Sequence, residues 1–193
     1  MPFIKAIKEI DVKVKPLYSS ADLAAISFVN YCMDDTYKDH KERGAMIYKL
    51  DLYFNDDRKT LVSRYYYSSI YRGVHNNVVW AFIQEYFFKS WNYIFFKSWQ
   101  DQNNIFKVKS CYKYAFCHTH PSYCNGHRSD CFSKEDKWLV NLLKLKYCYV
   151  GIPKGQVLRY GGGDNNGDVI FEDSPKTPHT RLYYCKKKKQ KQP

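Results

Sequence analysis

The sequence predicts a single α/β domain, a mixed β-sheet flanked by helices. Three observations lead there. The chain has 193 residues, a length suited to one domain with insertions. Its 45% hydrophobic content includes 19 Tyr, 12 Phe and 4 Trp, enough aromatic mass for a large core, and 26% charged residues is ordinary for a folded chain and excludes wholesale disorder. Runs of β-branched and aromatic residues are interspersed with two segments of helical periodicity.

The elements follow in order. Residues 3–15 alternate as a strand does and stop at Pro16, giving a lead-in strand within residues 1–17. Ser19 or Ser20 can cap a helix whose apolar positions are Leu23, Ala24, Ile26, Phe28, Val29 and Tyr31, and the acidic, polar run Asp34 to Arg43 is expected to end it. Ala45 to Phe54 is β-rich and predicts a central strand, closed by a turn at Asn55-Asp56-Asp57. Residues 61–88 hold two more β-leaning aromatic runs, around Gly73 and Asn76-Asn77, within an aromatic insertion at about 61–100. There the pentapeptide Phe-Phe-Lys-Ser-Trp occurs at 87–91 and again at 95–99. Two copies are too few for a solenoid; they read as a local duplication in a hairpin or helix, or as an aromatic, lysine-bearing surface.

Residues 111–118 predict the next strand, with Cys111, Lys113, Ala115 and Cys117 on one face and Tyr112, Tyr114, Phe116 and His118 on the other. A polar segment, Pro121 to Asp130, precedes a helix that begins near Ser133 and carries Trp138, Leu139, Leu142, Leu143 and Leu145 as its apolar stripe. Tyr147 to Ile152 reads as a buried strand, Pro153-Lys154-Gly155 as a turn and Gln156 to Tyr160 as the antiparallel return. A glycine-rich loop spans Gly161 to Gly167, and residues 176–193 form a basic tail expected to be disordered, which leaves 18–175 as the domain proper.

Charge and composition narrow the function classes. The formal charge is 31 − 19 = +12, and five of the positives (Lys186 to Lys189 and Lys191) lie in the last eight residues, so the remainder carries about +7. Such a surface tolerates anionic partners without specifying nucleic acid, which is not the favoured partner. No run of 18 apolar residues exists, so no integral membrane segment is expected. The start, Met1 to Glu9, alternates charged and apolar residues without an apolar core, so no cleaved Sec signal is expected either. Seven cysteines, at 32, 111, 117, 124, 131, 148 and 185, are an odd count without paired spacing and read as reduced thiols.

The chemistry concentrates at His118-Thr119-His120-Pro121. Alternation at the end of a strand puts both imidazoles on one face, as a divalent metal requires. Ser133-Lys134-Glu135-Asp136 then opens a helix as a capping box, with Asp136 pointing back towards the histidines. Two histidines and a carboxylate leave a tetrahedral position open for water, the pattern of a catalytic zinc site. A competing cluster is Cys117, Cys124 and Cys131 with His127, although a spacing of seven and seven is unlike a zinc ribbon. Zinc deaminase chemistry is excluded, because His-x-Glu and Pro-Cys-x-x-Cys are both missing. Cys117 is a poor nucleophile partner for His118, since strand neighbours face opposite ways.

These residues resemble the metal signature of the JAB/MPN-type (JAMM) zinc metallopeptidases, with Glu42-Arg43-Gly44-Ala45-Met46-Ile47-Tyr48 in the place of that family's upstream glutamate. Ala45 stands where a glycine is usual, and the spacer of eleven residues between Pro121 and Ser133 is long for the family. The chain looks closer to the JAB-like domain at the C-termini of bacterial Rhs-type polymorphic toxins. The helix leading to Glu42-x-x-x-x-Ile47-Tyr48, the Phe132-Ser133-x-x-Asp136 box and the run from Tyr149 to Tyr160 carry that likeness, which covers roughly residues 18 to 162 with the aromatic segment 61–100 poorly matched.

The resemblance implies a layered fold like that of the cytidine deaminases and a Zn2+ ion on His118, His120 and Asp136. It makes Glu42 the general base, with Glu85 and Glu135 as other candidates. Ser133 would donate to the oxyanion, a contribution of about 3 kcal/mol. The expected reaction is hydrolysis of a peptide, isopeptide or side-chain amide in a protein substrate. The expected context is a toxin or effector made in a bacterial cytoplasm, delivered by a specialised secretion system or within a larger toxin, and paired with an immunity protein. The alternative is a catalytically silent JAB-like module whose basic tail and aromatic repeats hold a protein, a membrane surface or nucleic acid.

Overall fold

The computed structural model of the chain describes residues 7–9, 17–54, 61–73, 106–121, 130–163 and 166–175. Among the described residues, eight strands make one mixed sheet: β1 (Ile7–Glu9), β2 (Arg43–Phe54), β3 (Leu61–Tyr67), β4 (Ile70–Arg72), β5 (Phe106–Thr119), β6 (Tyr147–Ile152), β7 (Gln156–Tyr160) and β8 (Asp168–Phe171). Among the described residues there are two helices, α1 (Ala21–Asp39) and α2 (Lys134–Leu142). Neither is long and apolar enough to cross a membrane.

The strand order is β1-β4-β2-β5-β6-β7-β8, with β3 also paired to β2. Every pairing is antiparallel except β5 with β6, which are parallel and joined through α2. The long strand β2 divides the core. Ala45 and Ile47 pack with Ala24, Phe28 and Val29 of α1, while Met46, Tyr48, Leu50 and Leu52 share the other cluster with Leu139 and Val140 of α2. The two helices therefore cover opposite faces of the sheet.

Ser20 caps α1 by accepting the Leu23 N–H at 3.1 Å. The helix buries Ala21, Ala24, Ala25, Phe28, Val29, Cys32, Met33 and Thr36, a stripe at spacings of three and four. Leu23 and Tyr31, expected on that stripe, are 48% and 59% exposed, because the small alanines set the face that meets the sheet. The acidic, polar run Asp34 to Arg43 ends α1 as expected, at Asp39 and not at its first residue. Met33 and Thr36 continue the buried stripe while Asp34 and Asp35 face solvent, and the helix runs on to a left-handed C-cap at His40.

Strand β5 is longer than its 111–118 core, and two register shifts against β2 leave Lys109 and Tyr114 as extra residues. The bulge at Tyr114 reverses the alternation. Cys111 packs with the Phe116 cluster, and Tyr114 joins Ala115 and Cys117 on the α1 side, so the predicted faces hold only from Ala115 onwards. On α2, Trp138 and Leu142 are exposed, whereas Asp136, Leu139 and Val140 are buried, with Leu143 and Leu145 just beyond.

β6, its turn and β7 form the expected antiparallel pair, and β8 adds a strand after the glycine-rich loop. None of the five cysteines among the described residues is in a disulfide. The turn at 55–57, the Phe-Phe-Lys-Ser-Trp copies, Cys124, His127, most of the lead-in strand and the basic tail lie outside the described residues.

Candidate metal centre

His118 is the penultimate residue of β5 and His120 the first residue beyond it. Alternation turns both rings to the α2 face and Thr119 to the α1 face. His118 stacks on Phe116, with ring centroids 5.5 Å apart, and meets the His120 ring edge to face at 4.9 Å. The His120 N–H donates to the Gly151 carbonyl at 2.8 Å, which ties the end of β5 to β6. Gly44 of β2 stands in register with His118 and presents no side chain there.

The third group comes from the first turn of α2. Ser133 Oγ accepts the Asp136 N–H at 3.1 Å, and Asp136 Oδ2 accepts the Ser133 N–H at 2.8 Å, which completes a capping box. The Ser133 hydroxyl donates to the same Oδ2 at 2.8 Å. Asp136 Oδ1 is left facing His118 Nε2 at 3.3 Å, and His120 Nε2 lies 3.9 Å from Oδ2.

The two Nε2 atoms are 3.1 Å apart, and the three donor atoms all lie within 4.8 Å of one another. This buried group could hold a metal ion. Two neutral imidazoles at that separation oppose their lone pairs unless a proton or a cation stands between them. Two nitrogens and a carboxylate oxygen are also a donor set that suits zinc.

The electrostatics agree with a cation site. Burial favours neutral His118, but the Asp136 carboxylate, with lesser help from Glu42 and the Tyr149 backbone, outweighs it and raises the pKa above 6.5. Burial likewise opposes ionised Asp136; His118, His120 and the Ser133 hydroxyl overcome it and hold the carboxyl well below the usual range. Behind His118, Cys148 Sγ is 3.9 Å from Nδ1. Burial, and then Asp136, push that thiol up, so it is a protonated neighbour and not a thiolate ligand.

Glu42 is buried immediately before β2, two residues from Gly44, and its charge acts on His118; continued alternation would turn it to the His118 face. Glu135 is exposed on α2, and Glu85 lies outside the described residues. Cys117 is buried on the α1 side with its thiol 3.5 Å from the Ala45 carbonyl, facing away from His118. The residues the sequence reading passed over are Thr36, Thr119 and Gly151. Thr119 had a legible signal, since the middle residue of His-x-His on a strand must face the opposite layer.

No protein-family model, curated protein or solved structure matches this chain.

Proposed function

We propose that the chain is a zinc-dependent amide hydrolase of the JAMM type. One observation carries this reading: His118, His120 and Asp136 converge in a buried cluster, and the charge of the buried Glu42 acts on His118. Zinc, when held by His118 Nε2, His120 Nε2 and Asp136 Oδ1, supplies a Lewis acid and an acidified water near neutral pH. Glu42 takes the proton of the attacking water and returns it to the departing amine. His118 turns Nδ1 to Cys148 Sγ at 3.9 Å, which leaves Nε2 towards the cluster. Ser133 fixes the Asp136 carboxylate, and donation to an oxyanion would have to compete with that bond. On the resemblance of the motif, the protein is further proposed to act on a protein substrate as a bacterial toxin or effector domain.

The test is elemental mass spectrometry of the purified chain beside His118→Ala and Glu42→Gln. One zinc per chain, lost in His118→Ala and kept in Glu42→Gln, supports the reading. No metal after zinc addition sinks it.

A further inference from the structure

The geometry points to Thr36 and Thr119 as a buried pair of positioning residues that holds Glu42 at the metal face, an inference that rests on the hydrolase reading above. The Thr36 hydroxyl donates to the Cys32 carbonyl at 2.9 Å. A hydroxyl has one proton, so in the 2.7 Å contact between the two threonines Thr119 is the donor and Thr36 the acceptor. Thr119 Oγ1 in turn accepts the Arg43 N–H at 3.1 Å. Both threonines are 0% exposed, so each lost partner leaves a buried polar group.

The peptide between Glu42 and Arg43 thus hangs from the middle residue of the His-Thr-His run. The carbonyl of that same peptide is held as well, Glu42 O accepting the Gly73 N–H at 2.8 Å. The Arg43 guanidinium donates to both Asp39 oxygens at 2.9 Å and to the Lys41 carbonyl at 3.1 Å. These restraints lie on the α1 side, and Glu42, one residue earlier, is left to project to the opposite face. The histidines and the base are then fixed to one another through the sheet, since His118, Thr119 and His120 are consecutive. Proton transfer demands that reach, and a displacement of about 1 Å costs on the order of 100-fold in rate.

The test takes Thr119→Val, Thr119→Ser and Thr36→Val in the full chain, each alone and combined with Glu42→Gln. Three quantities are read: hydrogen exchange of the Arg43 amide by NMR, zinc affinity by chelator competition, and kcat and KM of the zinc-loaded protein on a fluorogenic isopeptide probe. Thr119→Val is expected to speed Arg43 exchange by roughly tenfold or more. It should lower kcat by about 10- to 100-fold at unchanged KM and zinc affinity. Thr119→Ser should restore both, and the Glu42→Gln background should show no further loss of kcat. Thr36→Val, which removes the acceptor behind Thr119 together with the Thr36 bond to the Cys32 carbonyl but leaves the Thr119 hydroxyl in place, should give the same pattern at smaller size and carries the test if Thr119→Val does not fold. An Arg43 amide that stays protected in Thr119→Val, or an undiminished kcat loss in the Glu42→Gln background, overturns the inference. A wild-type protein that binds zinc but cleaves no probe overturns the hydrolase reading and the catalytic role of the pair together, while Arg43 exchange still reports whether the hydrogen bond is made.

Discussion

Ser133 gives its hydroxyl proton to the same Asp136 oxygen, Oδ2, that already accepts its backbone N–H. The helix cap and the candidate metal ligand are therefore one piece of structure. Capping saturates Oδ2 and turns Oδ1 to His118 at 3.3 Å, so the side chain is oriented before any ion arrives.

Ser133→Ala is expected to act twice. Loss of the N-cap should lower the stability of the metal-free protein by about 1 kcal/mol, read by thermal unfolding. Release of Asp136 should weaken zinc by about 10- to 100-fold in chelator competition. A loss of stability at unchanged zinc affinity would leave Ser133 as a cap alone.

Glu42→Gln should separate binding from turnover. The amide keeps the shape and cannot accept the proton, so turnover is expected to fall by about 100- to 10,000-fold with zinc stoichiometry unchanged. Loss of zinc in this variant would instead make Glu42 a ligand.

Asp39 joins α1 to the start of β2 and to β4, receiving Arg43 at 2.9 Å and Arg72 at 2.8 Å. Burial raises its pKa, yet the arginines and the Lys41 N–H outweigh burial and the net shift is below 3.8. A carboxylate shifted down contributes stability that is complete above its unfolded value and lost as pH falls through the folded one. Asp39→Asn is expected to cost about 1–3 kcal/mol at neutral pH. In urea titrations its gap from wild type should close as pH is lowered below 3.8.

Gly151 pairs with Thr119 across the parallel seam, and a Cβ there would meet Val29 Cγ1 of α1 at 2.4 Å. Valine is stiff and this one is buried, so Gly151→Ala should destabilise by about 1–3 kcal/mol. Adding Val29→Ala should recover part of the loss. Additive penalties in the double variant would mean that the contact is not the cause.

The parts of the site that were legible in the sequence are those set by short-range rules. Two-residue alternation places His118 and His120 together, and the Ser133 to Asp136 spacing gives the cap. The β6 turn β7 unit was legible for the same reason. What escaped depends on contacts between distant segments. The acidic run Asp34 to Arg43 does end α1, but how far the helix reaches into it is set by the sheet on which Met33 and Thr36 pack. Alternation along β5 failed at Tyr114 because a bulge is decided by pairing with β2. Trp138 and Leu142 were misplaced because successive helix positions are turned by roughly 100°, so a slip of one residue selects a different face, and β8 follows a loop whose glycines announce no strand.

The parallel seam between β5 and β6 bears on when the site comes into being. An antiparallel hairpin can zip from its turn, whereas a parallel pair must wait for its whole connection to close. The histidines precede that connection and Asp136 lies inside it, so the three donors become neighbours only as β6 docks. An ion bound there clasps the closed connection and leaves when it opens. Zinc should accordingly slow unfolding more than it speeds folding, and its escape rate becomes a clock for the opening of the seam.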